Sequence, residues 1–576
     1  MKKEIEKLIK DALKNLGIAE DIIFTVEHPE DFKNGDYSTN VAMICAKNIG
    51  KNPRELAEKI KLELEKNKPT EIEKIEIAGP GFINFYLSRE FFTKSVDIIL
   101  DKKENWGKNE RQTGKKVMVE YTDPNPFKPF HIGHLMTNAI GESISRIFEF
   151  SDAKVVRANY QGDVGPHVAK AVYGLMKFGL PDESKSVSAQ ARYIGECYSK
   201  GSNLYDTDEN VKKEIDDINI KIYDKSNSKI NEIYDWGRKV TLDAFEEIYK
   251  LLGTKFDKYF FESAVAPIGE KVVRENIGKI FENSEGAIVF HAEKYDPKLH
   301  TRVFINSQGL PTYETKEIGL TMTKFKKRFF EKGLDLSIVT TAIEQAEYMK
   351  VVQKAISLMH PDLEKKMKHI THGMMKFASG KMSSRKGNII TGESLLNDSI
   401  SIVIEKMKDR DMTDAEKSKI GEQVGISALK YSILKSSLGS DIIYDFDKSI
   451  SFDGDSGPYL QYTAVRARSI LNKTPSASSH SPLAGGDKIP DNIIDLERML
   501  YKFEEIIEYS YIKLEPHHIA IYLTELASAF NTFYNNTQII KDDNLYMRYH
   551  LDLVKAFYQT MKNGLWLLGI EVPEKM

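Results

Sequence analysis

The sequence predicts a multidomain protein in which α/β and α+β domains are joined to an all-α domain. At 576 residues the chain is too long for a single core, and roughly 150 residues per domain give three or four domains. Apolar alternation at Val117, Val119 and Tyr121 predicts a buried strand, and a helical period begins at Leu135. Beyond about Ile400 the apolar spacing is almost entirely helical. We therefore predict an α+β domain at 1–106, a doubly wound parallel-sheet (Rossmann-like) domain at 107–400 and an α-helical bundle at 401–576.

The composition indicates a folded protein with little overall charge. Lys and Arg number 82 against 85 Asp and Glu, a formal net charge of -3, so any nucleic-acid binding must depend on local basic surface. The two cysteines, Cys45 and Cys197, form neither a disulfide framework nor a zinc-ligand set. The N-terminal segment interleaves charged and apolar residues, and no apolar run reaches membrane-spanning length. We expect a cytoplasmic protein without zinc.

Two histidines stand where the predicted strand is followed by a helix. Three prolines between positions 124 and 129 force an extended loop, and His131 and His134 follow it with Gly133 between them. A helix N-terminus offers free backbone N–H groups and the positive end of the helix dipole, which together bind phosphate. Two imidazoles one helical step apart suit a nucleotide whose α-phosphate is attacked, and Gly133 lets a ligand approach the backbone. This stretch predicts an ATP site.

The same stretch carries a family resemblance. His131-Ile132-Gly133-His134 matches the first signature of class I aminoacyl-tRNA synthetases, and the preceding Pro-Asn-Pro-Phe-Lys-Pro-Phe closely resembles the arginyl-tRNA synthetase version. The tetrapeptide alone would predict little, because histidine and glycine recur at many turns. Glu120, Asn125 and Lys128, each in its expected place before it, make the pattern specific.

A second signature follows downstream. Residues 379–388, Ser-Gly-Lys-Met-Ser-Ser-Arg-Lys-Gly-Asn, resemble the KMSKS loop of the same class. Mobile cations in such a loop stabilise the charge that builds on departing pyrophosphate. The resemblance implies that Lys381, Ser383 and Arg385 contact ATP. Ser384 replaces the second lysine of the generic motif, and in arginyl enzymes that lack this lysine the residue at the position of Lys128 is thought to supply the missing charge.

A glycine-rich turn follows another predicted strand. Residues 155–160 end in Gly162-Asp163-Val164-Gly165, and a doubly wound nucleotide fold places such a turn at its carboxyl edge, where ligands bind. A lone GDxG is unspecific. Because it occurs here in the order found in the family, we predict that Asp163 lines the adenosine or amino-acid pocket.

A guanidinium substrate needs carboxylates in bidentate geometry and a flat or hydroxylated neighbour. Tyr313 and Glu317 lie four residues apart, on one face if a helix begins there. They match the tyrosine and the acidic residue that hold the arginine side chain in the family, although Asp is expected in place of Glu317. Glu120 and Asn125 match further arginine-binding positions, and Gln345 matches a substrate-side residue.

The resemblance covers essentially the whole chain and implies its partners. Residues 1–106 would contact the tRNA elbow, about 182–259 would form the connective insertion, and 401–576 would be a DALR-type anticodon-binding domain. The implied reaction is ATP-dependent activation of L-arginine and its transfer to tRNA(Arg), with Mg²⁺ held mainly by the ATP phosphates. No protein metal site is predicted, since His369 and His372 lack a nearby third ligand. We expect a monomer.

Two alternatives stay open at this point. A class I synthetase for another amino acid would share the ATP machinery, although the paired carboxylates Glu120 and Glu317 favour a guanidinium. A non-catalytic tRNA-binding paralogue would have no need of His131, His134 and Lys381.

Overall fold

The computed structural model describes residues 1–18, 22–326, 333–378, 390–474, 488–541 and 544–576. These residues form two compact units. The first unit comprises residues 1–106, 466–505 and 525–561, and the second comprises residues 107–465, 506–524 and 562–576. Within the described ranges, no helix is both long and apolar enough to cross a membrane.

The N-terminal part of the first unit is an antiparallel sheet covered by helices, as the α+β prediction requires. The sheet has the strand order β1-β2-β4-β3. Helix α1 buries Ile5, Ile9 and Ala12 against the core. Helix α3 begins at Pro53, and the side chain of the preceding Asn52 accepts hydrogen bonds from the backbone amides of residues 54 and 55. The elements are α1 (Lys2–Asn15), β1 (Val26–Glu27), β2 (Tyr37–Thr39), α2 (Val41–Ile49), α3 (Pro53–Lys66), β3 (Ile72–Ala78), β4 (Phe82–Leu87) and α4 (Arg89–Lys102).

A five-stranded parallel sheet organises the second unit. Its elements are β5 (Lys116–Glu120), α5 (Ile132–Phe150), β6 (Lys154–Gln161), α6 (Pro166–Phe178), α7 (Val187–Thr207), α8 (Glu209–Asp224), α9 (Ser228–Leu251), β7 (Lys258–Phe261), α10 (Glu262–Glu275), β8 (Glu282–Ser284), β9 (Ala287–Phe290), β10 (Arg302–Ile305), α11 (Tyr313–Lys324), β11 (Leu336–Ala342), α12 (Ala346–Met359) and β12 (Met367–His372). The strand order is β12-β11-β5-β6-β7. The chain thus starts in the centre, runs to one edge and returns to the other side of β5. That reversal confirms the doubly wound prediction and makes the carboxyl ends of β5 and β11 a ligand-binding crevice.

Helices α6 to α9 build a separate apolar core beside the sheet. Ile194, Ile215, Ile218 and Ile230 lie within it, together with Phe127 from the loop after β5. Helices α7, α8 and α9 fall inside the range 182–259 predicted as an insertion. Strands β8, β9 and β10 form a small antiparallel sheet in the order β10-β9-β8.

The prediction of a helical C-terminal region is confirmed. Its elements are β13 (Met375–Phe377), α13 (Gly392–Lys406), α14 (Asp414–Leu434), β14 (Ile442–Tyr444), α15 (Phe446–Ser449), α16 (Gly457–Asn472), α17 (Asp495–Tyr501), α18 (Phe503–Lys513), α19 (His517–Asn536) and α20 (Met547–Leu567). Among the described residues beyond 400, β14 is the one strand, and it pairs in parallel with β13.

Candidate active site

The loop between β5 and α5 is held in an unusual backbone conformation. Thr122, Asp123 and Phe127 have φ angles of 77°, 46° and 68°, values that side-chain-bearing residues rarely adopt. Neighbouring groups stabilise the strained backbone: Asn138 donates to the Thr122 hydroxyl at 3.0 Å, and the amide of Tyr160 donates to Oδ1 of Asp123 at 2.7 Å. Phe127 is fully buried. Strain of this kind persists where the surrounding structure over-determines the backbone, and it is concentrated at functional sites.

The two predicted histidines meet at the start of α5. Their rings stack with centroids 3.5 Å apart and planes inclined by 23°. The amide of His131 donates to Nδ1 of His134 at 3.2 Å. Because Nδ1 accepts this bond, the His134 proton resides on Nε2, which is then the ring's free donor.

Both imidazoles favour the neutral form. Burial lowers the pKa of His134 well below its ordinary value, and the neighbouring His131 and Lys128 lower that pKa further. Desolvation and then Lys128 lower the pKa of His131. Near neutral pH these rings therefore offer polarised N–H donors to a ligand, added to the dipole of α5.

Two glycines make the close packing at this loop feasible. A Cβ on Gly133 would lie 3.0 Å from Cε1 of His131. A Cβ on Gly392, the first residue of α13, would lie 2.8 Å from the carbonyl oxygen of His131, and the Gly392 amide donates to the Phe130 carbonyl at 2.8 Å. The segment that follows residues 379–389 is thus hydrogen-bonded to the histidine loop.

Lys128 stands beside the histidines. Its pKa is lowered, first by burial and then by the nearby Lys170, with Glu262 acting in the opposite direction. The ammonium lies 5.4 Å from the ring centre of Tyr198 on α7, a cation–π distance that orients a flexible side chain. Lys128 thus lies close enough to lower the pKa of His131, and its predicted contact with the departing pyrophosphate stays a prediction.

Lys381, Ser383 and Arg385 lie outside the described residues. The chain is anchored on both sides of them. Before them, β13 pairs in parallel with β14, and after them Gly392 bonds to the loop of His131.

The predicted arginine-binding carboxylates converge, and a lysine accompanies them. Glu120 ends β5 and is 1% exposed. Its Oε2 lies 2.8 Å from Nζ of Lys324, which is 2% exposed at the end of α11. Glu317, on the same helix, interacts electrostatically with both. Sequence reasoning missed Lys324, although its spacing of seven residues from Glu317 gives two helical turns and so the same face.

Glu317 is the buried carboxylate that lacks a partner of its own. It is 6% exposed and forms no hydrogen bond or ion pair with any residue of the described chain. Desolvation raises its pKa to about 7; Lys324 opposes this rise, whereas Glu120 and Glu262 add to it. A buried carboxylate without a counter-ion is strongly stabilised when a cation binds next to it.

The other predicted arginine-binding residues lie on separate elements of the same unit. Oδ1 of Asn125 accepts the Gly162 amide at 3.1 Å. Tyr313 begins α11 with 57% of its surface exposed, and Gln345 lies exposed in the turn after β11. All three lie in the loops or turns that follow sheet strands or at the first turn of α11, and their contact with arginine stays a prediction.

A second buried ion pair was also missed from sequence. Nζ of Lys316 lies 2.7 Å from Oε2 of Glu262, the first residue of α10, and the two side chains are 6% and 5% exposed. A Cβ on Gly162 would lie 3.1 Å from Glu262 Oε1 and 2.4 Å from Asn125 Oδ1. A carboxylate directly after a parallel strand is the signal that could have identified Glu262.

Asp163 is fully buried and accepts four hydrogen bonds. The donors are the amide of Ser263 at 2.9 Å, its hydroxyl at 2.7 Å, Nε of Arg238 at 2.9 Å and the Tyr234 hydroxyl at 3.3 Å. These contacts join the glycine-rich turn to α9 and α10. The predicted contact of Asp163 with a substrate stays a prediction.

Potential metal ligands of the described residues lie in two places. Among the described residues, one group of three side chains places its ligand atoms within 4.8 Å of one another, Glu515, His517 and His518, and it belongs to α19 and the turn before it. His369 and His372 lie on β12, bonded to the Thr341 hydroxyl and the Gly373 carbonyl.

Family comparisons cover nearly the whole chain. Residues 95–446 match the model of class I tRNA synthetases (R), catalytic domain. Residues 3–87 match the arginyl tRNA synthetase N-terminal domain, and residues 460–576 match the DALR anticodon binding domain.

Individual relatives agree. An arginine–tRNA ligase of Borreliella burgdorferi is 30% identical, with 100% of both chains covered. One from Halothermothrix orenii is 31% identical over 100% of this chain and 99% of its own. The solved arginyl-tRNA synthetase of Thermus thermophilus, 24% identical, aligns over both full chains with a TM-score of 0.79.

Proposed function

The chain belongs to the class I arginyl-tRNA synthetase family, and we propose that it joins L-arginine to tRNA(Arg) at the expense of ATP. The arginine carboxylate attacks the α-phosphate, which forms arginyl-adenylate and releases pyrophosphate. A hydroxyl of the 3′-terminal ribose of tRNA(Arg), the 2′-hydroxyl in class I enzymes, then attacks the acyl carbon and releases AMP. The observation that carries the proposal is the buried Glu317 carboxylate, which has no partner among the described residues and interacts with Glu120 at the end of β5.

Arginine selection would rest on charge and burial. The guanidinium would pair with Glu317, beside Glu120 and within reach of the Asn125, Tyr313 and Gln345 side chains. Since Glu317 has no other partner among the described residues, the bound cation removes the cost of a buried charge. A neutral side chain would leave that cost in place, which gives discrimination as well as affinity.

The phosphates would bind at the N-terminus of α5. Neutral His131 and His134 would donate hydrogen bonds to oxygens of the α-phosphate as its charge spreads in the transition state. Lys128 and Lys381 would stabilise the departing pyrophosphate, with Gly133, Asp163, Ser383 and Arg385 completing the ATP-binding residues. Positioning and electrostatics supply the rate, without a covalent enzyme intermediate.

Mg²⁺ would enter with ATP. No group of carboxylates or histidines among the described residues of the crevice has metal-binding spacing, so the phosphates themselves would hold the ion.

The remaining expectations follow from the family. We propose that residues 1–106 contact the tRNA elbow, that 107–400 with an insertion at about 182–259 carry catalysis, and that 401–576 read the anticodon. We also propose a cytoplasmic monomer that handles tRNA(Arg), L-arginine and ATP.

The direct test is charging. Purified protein, total tRNA, ATP and labelled arginine should give acid-precipitable label, and lysine, glutamate or cysteine should give none. Charging by one of these in place of arginine would establish a synthetase of different specificity. Binding of tRNA without charging by any amino acid would favour the non-catalytic paralogue.

A further inference from the structure

The buried ammonium of Lys324 lies in the carboxylate cluster where the guanidinium is proposed to bind. Lys324 is 2% exposed, and its Nζ lies 2.8 Å from Oε2 of Glu120. A buried lysine is costly unless its charge is matched, so its persistence here needs a reason. Burial alone would lower the pKa of Lys324. The pKa is instead raised by the nearby carboxyl groups of Glu120, Glu317 and Asp123, in that order, which favours the charged ammonium.

The cluster therefore has a definite charge balance. Three carboxyl groups, those of Glu120, Asp123 and Glu317, face one ammonium. Burial raises the pKa of Asp123 well above its ordinary value, and Glu120 adds to the rise, so both favour the neutral form of this group. When Asp123 is protonated and both glutamates are ionised, two carboxylates and one ammonium leave one net negative charge.

One net negative charge matches one guanidinium. Without the ammonium, Glu120 and Glu317 would repel each other in a desolvated site and one of them would take up a proton. We propose that Lys324 is a positioning residue of the arginine pocket, which fixes Glu120 and sets the pocket charge so that Glu317 stays available to the substrate cation. This inference rests on the proposed arginine specificity.

The test is the pH dependence of arginine use. The titratable and charged groups that face Glu317 are Lys324, Glu120, Asp123, Glu262, Tyr160 and Tyr348, from its own helix, β5 and the loop after it, α10, β6 and α12. Lys368 on β12 also lines the cavity of about 20 Å³ beside Glu317 and Lys324. Because Glu317 must be charged to bind arginine, kcat/KM for arginine should fall as pH drops below about 7.

In the pH profile of kcat/KM for arginine, the fall on the acidic side is called the acid limb. The variant Lys324→Met should move this acid limb upward by about one pH unit, because the ammonium that favours the charged form of Glu317 is gone. At pH 7.5 its KM for arginine should rise about threefold, because the ionised fraction of Glu317 falls by that factor, while its KM for ATP stays within about twofold. Lys324→Arg should restore both readouts. These measurements use the full-length chain with total tRNA in ATP–pyrophosphate exchange.

A double variant guards against misfolding. Glu120→Gln with Lys324→Met removes both charges of the pair and leaves no unpaired charge behind. It should return the acid limb to the wild-type position even if the KM for arginine stays raised. The inference is overturned if Lys324→Met has the wild-type KM for arginine and the wild-type acid limb. It is also overturned if the acid limb of the double variant differs from that of the wild type. If the unchanged chain shows no arginine-dependent exchange, the proposed function fails and this inference fails with it.

Discussion

The backbone amide of Gly392 donates to the carbonyl of Phe130 at 2.8 Å, which joins the first turn of α13 to the loop that carries His131. The contact therefore holds the segment that follows the second signature next to the loop of the first signature. Position 392 has no space for a side chain, since a Cβ would lie 2.8 Å from the His131 carbonyl oxygen and 2.9 Å from the Phe130 ring.

We predict that Gly392→Ala slows catalysis. The methyl group must displace the backbone at His131, and misplacement of a catalytic group by about an ångström can cost about a hundredfold in rate. The rate of arginine-dependent exchange measures the effect. Ser401→Ala, at an exposed position of the same helix, is the control and should be unchanged. Equal rates for Gly392→Ala and the wild type would refute a positional role for this contact.

Glu317→Gln should abolish arginine selection while sparing ATP. The amide offers no charge to the guanidinium, and loss of a buried charge-assisted pair costs about 3–5 kcal/mol, or more than a hundredfold in KM for arginine. Glu317→Asp should retain most of the affinity. The matched control is Glu314→Gln on the same helix, whose carboxylate pairs with Arg302 instead. The measurement is steady-state ATP–pyrophosphate exchange at varied concentrations of arginine and ATP. If Glu317→Gln leaves the KM for arginine unchanged, the guanidinium binds elsewhere.

Asp163→Asn should destabilise the fold. The substitution leaves Arg238 without its carboxylate and replaces one of the two acceptor oxygens of a fully buried group that accepts four hydrogen bonds, for an expected loss of about 3 kcal/mol. Urea unfolding followed by tryptophan fluorescence measures it. Unchanged stability with a raised KM for ATP would instead indicate that Asp163 acts mainly on the substrate.

His167 should make stability fall in acid. Burial lowers its pKa to about 3, and its Nε2 donates to the Gly162 carbonyl at 2.8 Å. Because the unfolded histidine binds a proton near pH 6.5 and the folded one does not, stability is present above pH 6.5 and is lost as pH falls below it, by about 2 kcal/mol at pH 5.

The variant His167→Gln keeps a donor for Gly162 without this titration. Its urea midpoint should fall less than that of the wild type between pH 7.5 and pH 5. His360→Gln, at an exposed position, should track the wild type. Identical pH dependence in His167→Gln and the wild type would mean that His167 is not held neutral by the fold.

Local sequence patterns predicted much of the fold and part of the site. The strand that ends at Glu120 and the helix that begins after His131 follow from periodicity and from the prolines between them. Because a doubly wound fold binds ligands at the carboxyl edge of its sheet, the glycine-rich turn at Asp163 was expected there.

Three features depend on tertiary contacts. The left-handed φ of Thr122, Asp123 and Phe127 is stabilised by tertiary contacts, against the preference of these residue types. The Glu120–Lys324 and Glu262–Lys316 pairs join residues 204 and 54 positions apart, and a lysine in a charged helix is read by default as a solvated one. The burial of Lys324 depends on β5, β11 and α11 packing together, and this packing follows from the complete fold and not from any short sequence pattern.

ATP–pyrophosphate exchange by the purified protein, with arginine as the only amino acid and with or without total tRNA, tests the proposed chemistry most directly. We predict exchange with arginine that requires tRNA, as the family implies, and that disappears in Glu317→Gln. Absence of exchange with arginine, under conditions in which the protein still binds tRNA, would contradict the arginine pocket at Glu120 and Glu317 and the activity built on it.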